Sequence, residues 1–222
     1  MERRSLSKPL LIHVNVSCGT QRDRTVGVHH APRERLAPYG TMKKLPGWAG
    51  TPICEAPLHT TLLPAGILEK PTLSNLMQLY LYDFSALDGA DVDACGCFSY
   101  AHLDAYWTTT DHHPFLIHVA GCLAGFALIN RYSRLHEPFD GHAVAEFFIL
   151  RKYRRMGAGR VAAIQLFDRF PGRWEVASLA TNIPAQSFWR STIDAYTEGR
   201  YQEIWLQNDH WRGPVQSFIA PS

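Results

Sequence analysis

The ten residues from Arg151 to Arg160 place five cationic side chains around two glycines, directly after the apolar run AVAEFFIL. Glycine allows a backbone to approach a ligand closely, and cationic side chains attract phosphate. The combination predicts a site for a ligand that carries phosphate groups. The alternative is a tight turn with solvated cations beside it, because glycine also marks ordinary turns.

Two common nucleotide sites fit this loop poorly. The P-loop pattern G-x-x-x-x-G-K-[ST] is absent from the sequence. Gly157, Gly159 and Ala162 satisfy the looser dinucleotide pattern G-x-G-x-x-A, but that pattern belongs to an early βαβ unit with an acid about 20 residues further on. Here the loop comes late in the chain, and the segment SLATN at 178–182 holds no acid. A nicotinamide site is therefore disfavoured.

The elements around the loop can be predicted from periodicity and turn signals. Apolar residues at helical spacing predict a helix that opens at Pro71, and YAHLDAYW is compatible with a second short helix. Ala120 and Gly121 mark a hairpin between two strands, AVAEFFIL predicts the next strand, and Asn182 is a candidate cap for a late helix. The full predicted order is β-α-α-β-β-β-α-β-α-β-β. This order is typical of an α/β fold.

Residues 1–56 differ from the remainder of the chain. Proline and glycine recur there, and neither helical nor strand periodicity persists beyond a few residues. We therefore predict a flexible or poorly packed N-terminal extension over 1–56 and a folded domain over 57–222.

From about residue 58 onward the chain resembles the GCN5-related N-acetyltransferase (GNAT) superfamily. The pyrophosphate loop of that family is written Q/R-x-x-G-x-G/A, and the segment Arg154-Arg155-Met156-Gly157-Ala158-Gly159 matches every defined position. A second family feature, an Asn followed by a helix with an Ala and an aromatic pair, is matched by NIPAQSFW. The element order agrees as well. The resemblance implies a mixed, largely antiparallel central sheet flanked by helices.

The resemblance also implies acetyl-coenzyme A as co-substrate. In this family the strand before the loop separates from the strand after the following helix, and the pantetheine lies in the gap. Successive backbone N–H groups at a helix N-terminus suit a pyrophosphate for a physical reason, because they form a concave donor array at the positive end of the helix dipole. The cofactor-binding residues expected from the resemblance are Ile149, Leu150, Arg154, Arg155, Met156, Gly157, Ala158, Gly159, Arg160, Asn182, Ser187 and Trp189.

The implied reaction is direct attack of an amine on the thioester. A lysine-like amine is only about one part in a thousand neutral near pH 7, so a base or a water chain is expected. We choose Glu146, an acid inside the apolar run AVAEFFIL, because burial would raise its pKa toward neutrality. A structural partner for a nearby Arg or backbone amide is the alternative role for Glu146.

The sequence departs from the family at Trp189, where many members place a tyrosine that serves as general acid. An indole ring is not a proton donor of that kind. We predict Tyr201 in this role, with Tyr196 as another candidate and water as a third. This departure also keeps open a different function, in which the chain binds acyl-coenzyme A as a sensor or regulatory module without turnover.

The resemblance implies that residues 71–130 correspond to the helices and loop that line the acceptor side in that family. Residues 71–130 contain no Lys or Arg and six Asp, which disfavours a nucleic-acid surface and favours a cationic amine. The predicted acceptor-binding residues are Asp83, Tyr106 and Trp107, and the acceptor would be a small molecule or a peptide. Solvated loop acids are an equally good explanation of these Asp residues.

The remaining expectations come from bulk features. No apolar run approaches the roughly 20 residues of a membrane-spanning helix. Five cysteines without framework spacing predict reduced thiols and a cytoplasmic protein, and the pair Cys95 and Cys97 lacks the second ligand pair of a metal site. We expect no metal, no membrane contact, and either a monomer or a homodimer.

Overall fold

The computed structural model describes residues 59–221 of the 222-residue chain. Its strands are β1 (Thr60–Pro64), β2 (His113–Val119), β3 (Cys122–Asn130), β4 (Gly141–Ile149), β5 (Gly172–Ala177), β6 (Tyr201–Gln207) and β7 (Arg212–Ala220). Its α-helices are α1 (Lys70–Asp88), α2 (Ala105–Thr108), α3 (Ala158–Arg169) and α4 (Ile183–Thr197). The order of these elements confirms the prediction. The predicted extension, 1–56, lies outside the described residues.

The seven strands form a single mixed sheet in the order β1-β2-β3-β4-β5-β7-β6. Every neighbouring pair is antiparallel except β4 and β5, which run parallel. The predicted largely antiparallel sheet flanked by helices is therefore confirmed. The parallel pair occurs where α3 connects β4 to β5, since a parallel connection needs a crossover element.

Local sequence signals explain where several elements begin and end. Helix α1 has Pro71 in its first turn and ends at Gly89, which adopts the left-handed conformation with φ 75°. The β2–β3 hairpin turns at Ala120 and Gly121, both with positive φ, as a two-residue hairpin requires. Asn182 caps α4 by accepting a hydrogen bond from the backbone N–H of Ala185 at 3.1 Å, as predicted. The second helix is shorter than predicted, since only Ala105–Thr108 is helical.

Helices pack on both faces of the sheet. One face is covered by α3 and α4, and its core includes Phe167, Trp174 and Trp189. The other face is covered by α1 and α2, with a smaller core around Leu73, Met77, Phe126 and Phe148. We call these the α3/α4 face and the α1 face.

Strand β4 contains a β-bulge at Ala145. Leu128 of β3 lies opposite Glu146, whereas the next residue, Ile129, lies opposite Val144, so β4 has one extra residue here. Side chains alternate between the faces of a regular strand, and the bulge shifts that alternation by one. Val144 and Phe147 both pack on the α3/α4 face as a result, while Glu146 stays on the α1 face beside Phe148.

Within residues 59–221, no helix is both long and apolar enough to cross a membrane.

Candidate active site

Strands β4 and β5 pair along only part of their length. The register runs from Gly141, opposite Arg173, to Val144, opposite Val176, and it stops there. Beyond Val144 the two strands separate, so the β5 side of 145–149 faces a gap. This is the separation that the resemblance implied between the strands flanking α3.

The backbone of β4 offers hydrogen-bonding groups to this gap. Leu150 N–H donates to Ala124 O at 2.8 Å, on the β3 side. Hydrogen-bonding direction alternates along a strand, so the backbone groups of Phe147 and Ile149 point the opposite way, toward the gap. The carbonyl of Ile149 accepts a hydrogen bond from Arg154 Nε at 2.7 Å. Two of the predicted cofactor-binding residues lie at this end of β4: the backbone of Ile149 faces the gap, and the Leu150 N–H does not.

The glycine loop leads directly into the N-terminus of α3. Gly157 precedes the helix with φ 82°, and no side chain caps the helix. The N–H groups of the first helical turn have no partner within their own helix, so this end of α3 can receive an anion. Arg155 also has a positive φ, 62°, and Arg155, Met156 and Arg160 are exposed around the loop.

Gly159 has a different role from Gly157. A Cβ atom at Gly159 would lie 3.3 Å from the ring of Phe188 and 3.5 Å from the side chain of Ile149. Its lack of a side chain therefore lets α3 pack closely on α4 and β4. At Gly157 a Cβ atom would meet nothing within 4 Å, so that position is open to a ligand.

Two arginines of the loop are held by Asp83 of α1. Arg151 Nη2 lies 2.6 Å from Asp83 Oδ1, and Arg154 Nη2 lies 2.5 Å from Asp83 Oδ2. Burial acts to raise the pKa of Asp83, but the hydrogen bonds from Arg151 and Arg154 hold it below its ordinary value. Both carboxylate oxygens thus accept a hydrogen bond from the loop, so Asp83 supports the loop, and its predicted contact with an acceptor stays a prediction.

Glu146 lies on the α1 face, one residue after the bulge. Its Oε2 accepts a hydrogen bond from Tyr80 at 2.5 Å, and its Oε1 accepts one from Tyr100 at 3.0 Å. Burial raises the pKa of Glu146 despite the two phenol hydrogen bonds and the positive charge of Arg134, which act to lower it. Glu146 is therefore a carboxylate held ready to accept a proton at a pH above that of an ordinary glutamate.

The two tyrosines reach Glu146 from separate segments. Tyr80 belongs to α1, whereas Tyr100 belongs to the loop between α1 and α2. Gln78 fixes that loop to the helix, because its side chain donates to Phe98 O at 2.9 Å and accepts from Phe98 N–H at 2.8 Å. Burial and the nearby carboxylate of Glu146 raise the pKa of both phenols, so they remain protonated donors.

The other predicted acceptor residues, Tyr106 and Trp107, lie on α2. Tyr106 is buried, and burial followed by the charge of Glu146 raises the pKa of its phenol. Trp107 Nε1–H donates to Ala65 O at 3.0 Å, which fixes this ring to the end of β1. Tyr106 therefore lies within electrostatic range of Glu146, while Trp107 holds α2 in place.

A second polar cluster lies on the α1 face beside Glu146. Buried Glu175 of β5 accepts hydrogen bonds from Ser133 Oγ at 2.6 Å and from Arg134 N–H at 2.9 Å. The guanidinium carbon of Arg134 lies 3.7 Å from the ring centroid of Trp211. The cluster brings the β3–β4 loop and the β6–β7 loop together.

The structure does not bring Tyr201 to Glu146. Tyr201 opens β6, which lies three strands from β4, or about 14 Å across the sheet. Cross-strand pairing also aligns Tyr201 with Phe218 and Trp174 and hence with His142, four residues away from Glu146 along β4. Tyr201 is therefore remote from Glu146, because β6 is the far edge strand, and its role as a catalytic acid stays a prediction.

The remaining residues predicted on α4 have mostly structural positions. Trp189 is buried against Phe147 and Phe167. Tyr196 donates to Asp168 of α3 at 2.8 Å. Asn182 uses its side-chain oxygen as the helix cap, and Ser187 is exposed. No tyrosine of α4 therefore faces Glu146.

Sequence reasoning did not predict the contacts of Tyr80 and Tyr100 with Glu146, and it missed Arg134, Glu175 and Trp211. Glu175 had a usable signal, since it is an acid inside the apolar strand RWEVASLA, as Glu146 is inside AVAEFFIL. The others had none, because their contacts join segments far apart in sequence. Cys95 and Cys97 have free, exposed thiols, and within 59–221 no group of three or more possible ligands could hold a metal ion.

Comparison with known proteins identifies a family and several similar structures. The sequence model of the acetyltransferase (GNAT) family matches residues 77–192. An acetyltransferase from Thermus thermophilus superposes with a TM-score of 0.54 at 16% identity, covering 73% of this chain and 97% of that one. An acetyltransferase of the GNAT family from Staphylococcus aureus gives 0.50 at 11% identity, covering 73% and 99%.

The PaiA N-acetyltransferase from Thermoplasma acidophilum, solved in complex with coenzyme A, gives a TM-score of 0.47 at 7% identity, covering 73% of this chain and 99% of that one. No curated protein matches the chain in sequence.

Proposed function

Because the chain belongs to the acetyltransferase (GNAT) family, we propose that it is an N-acetyltransferase that moves an acetyl group from acetyl-coenzyme A to an amine. The observation that carries the proposal is the gap between β4 and β5, which is continuous with an uncapped helix N-terminus and has a proton acceptor, Glu146, on the adjoining strand.

The residues around the gap fit acetyl-coenzyme A. The open position at Gly157 and the first-turn N–H groups of α3 suit the pyrophosphate. The backbone groups of Phe147 and Ile149 point toward the gap and suit the pantetheine amides, which need hydrogen-bond partners when they leave water. Arg155 and Arg160 are exposed near the loop and make no ion pair within 59–221, so they are available to the remaining phosphate.

Acetyl-coenzyme A supplies an activated thioester, and the acceptor nitrogen attacks its carbonyl carbon so that a C–N bond forms and the C–S bond breaks. The amine must lose a proton in this process. Glu146 takes that proton, directly or through a water molecule, and its raised pKa brings it nearer to the operating pH. Tyr80 and Tyr100 hold the carboxylate in place through its two oxygens, and lone pairs remain free on each oxygen.

Water protonates the departing thiolate in this proposal. Trp189 stands where many family members have a tyrosine, and Tyr196 is engaged with Asp168. The same observation favours a second candidate function, an acyl-coenzyme A sensor that binds the thioester without turnover. Glu146 would then serve only as a buried hydrogen-bond acceptor.

One experiment separates the two functions. The full-length protein is incubated with acetyl-coenzyme A and a panel of amino acids, polyamines, aminoglycosides and peptides, and both thiol release and acetylated product are measured. Equal amounts of thiol and acetyl-amine support the transferase. Calorimetric binding of acetyl-coenzyme A with no acetylated product from any amine supports the sensor.

A further inference from the structure

Arg134 is a partly buried cation that forms no ion pair within residues 59–221. Its guanidinium carbon lies 3.7 Å from the ring centroid of Trp211 and 5.8 Å from that of Tyr132. Within residues 59–221 the guanidinium makes no hydrogen bond and no ion pair; the bond from Arg134 to Glu175 uses the backbone N–H. A guanidinium carries five N–H donors in one plane, and stacking on a ring leaves those donors free at its edge.

A second donor beside it is also unpartnered. The indole Nε1 of Trp211 is buried and has no hydrogen-bond partner in the described part of the chain. Buried N–H groups normally find an acceptor, because leaving one unmade costs about 1–3 kcal/mol. Two adjacent side chains thus carry hydrogen-bond donors that no oxygen of residues 59–221 accepts from.

The two loops that hold these donors are fixed by the fold. Ser133 and the Arg134 backbone are tied to buried Glu175, and Ser133 Oγ also accepts the N–H groups of Leu135 and His136. Opposite them, the side chain of Asn208 accepts the backbone N–H of Trp211 at 2.8 Å in the β6–β7 turn. The backbones of Arg134 and Trp211 are therefore anchored, and the guanidinium is positioned by its contact with the Trp211 ring.

The stack lies on the same face of the sheet as Glu146. Trp174 and Val176 point to the α3/α4 face, so the intervening Glu175, and the loop tied to it, belong to the α1 face. Arg134 and Glu146 influence each other electrostatically but form no ion pair. A carboxylate that accepts a proton and a guanidinium with free donors thus lie on the same face of the sheet without forming an ion pair.

We propose, resting on the proposed transferase function, that the acceptor is an amine bearing an anionic group, carboxylate or phosphate, which Arg134 and Trp211 Nε1–H bind while Glu146 receives the amine proton. A guanidinium edge matches either anion with two parallel hydrogen bonds. A polyamine would instead bring a second cation toward Arg134. This acceptor class differs from the cationic amine that the Asp content of 71–130 predicted.

The test compares matched amines that differ only in the anionic group. Amino acids are paired with their amides, 2-aminoethyl phosphate is paired with ethanolamine, and spermidine serves as the polyamine. kcat/KM is measured for wild type, Arg134→Ala and Trp211→Phe, with Arg131→Ala as matched control. Arg131 lies in the same loop but pairs with Asp111 and Asp140, away from Trp211.

We expect wild type to prefer the anionic member of at least one pair about tenfold or more, because a site built for hydrogen bonds rejects a ligand that leaves them unmade. Arg134→Ala abolishes that preference, Trp211→Phe reduces it while keeping an aromatic ring under the guanidinium, and Arg131→Ala preserves it. The amino-acid and 2-aminoethyl phosphate arms show which anion is used.

Three results would overturn the inference. If spermidine or the amines without an anionic group react as fast as the anionic amines or faster, the inference about the acceptor is wrong. The proposed transferase function would still stand. An unchanged preference in folded Arg134→Ala leads to the same conclusion. Absence of product from every amine, with acetyl-coenzyme A still bound, removes the transferase function as well.

Discussion

The two faces of the sheet are built from different kinds of side chain. On the α3/α4 face the larger apolar core brings aromatic rings of α3, α4, β5 and β7 into contact around Phe167, and the buried polar side chains of α4 are uncharged. On the α1 face the apolar core is smaller, and Glu146 and Glu175 lie beside it with their hydroxyl and amide donors. Apolar packing dominates folding stability, whereas a carboxylate in a partly dry site costs stability and gains reactivity. We infer that one face mainly holds the fold together and the other mainly does chemistry.

The largest effect is expected from Phe167→Ala on the α3/α4 face. The side chain is fully buried among Trp174, Tyr196 and Phe218, so its removal should lower the free energy of unfolding by about 3–5 kcal/mol. Urea denaturation measures the change. Val161→Ala on the exposed side of the same helix should stay within about 0.5 kcal/mol. A loss below about 1 kcal/mol at Phe167, close to the range of surface substitutions, would contradict the division between the faces.

On the α1 face, Glu146→Gln should change rate rather than stability. We expect kcat to fall at least about tenfold with unchanged affinity for acetyl-coenzyme A, because a general base typically contributes roughly 10² to 10⁴. The raised pKa of Glu146 means that its neutral form favours folding at low pH, and this contribution is lost as pH rises through the raised value. The variant should thus be at least as stable as wild type at neutral pH.

The pH profile sharpens this test. Wild-type activity should decline as pH falls through the raised pKa of Glu146, and the variant should lack that decline. Glu198→Gln, an exposed glutamate paired with Arg200, is the control and should behave as wild type. Full activity of the Glu146→Gln variant between about pH 6 and 9 would show that another group removes the proton from the amine.

The gap itself is tested by Gly157→Val. Gly157 and Gly89 both have a left-handed backbone and open space at the Cβ position, so valine should cost each of them a similar strain of about 1–2 kcal/mol. Only the Gly157 variant should lose acetyl-coenzyme A binding, by roughly tenfold or more, since its side chain would stand where the anion binds. Calorimetry on both variants decides the matter. Equal affinity in the two folded proteins would mean that the loop is merely a turn.

The smallest effect is expected from Asp83→Asn. Its pKa is lowered, so the clamp with Arg151 and Arg154 stabilises the fold above the ordinary Asp pKa, and this contribution is lost as pH falls through the lowered value. Both arginines are largely exposed, so the loss at neutral pH should be about 1 kcal/mol or less. The acceptor KM should hardly change. A marked rise in acceptor KM at unchanged stability would show instead that Asp83 contacts the acceptor.

The features that were predictable from sequence are those set by neighbouring residues. The Ala120–Gly121 hairpin, the Asn182 cap and the loop at Gly157 depend on local backbone preferences, and the element order follows from local periodicity. Glu146 was identified because an acid in an apolar run must find a compensating environment. What that environment would be could not be predicted, since Tyr80 is 66 residues from Glu146 along the chain. The distance of Tyr201 from Glu146 could not be predicted either, because sequence proximity to α4 says nothing about strand order.

Ala145 is the extra residue of the bulge, and it shifts the alternation of side chains along β4 by one position. In a regular strand, Val144 and His142 would lie on the same face of the sheet as Glu146. Because of the bulge, both side chains lie on the opposite face, the α3/α4 face. Deleting Ala145 would restore a regular count, and one half of the strand would then have to rotate. Either the carboxylate would enter the apolar layer, or Val144 would leave it. The faces on which Glu146 and Val144 lie thus depend on Ala145, whose own methyl group takes no part in the chemistry.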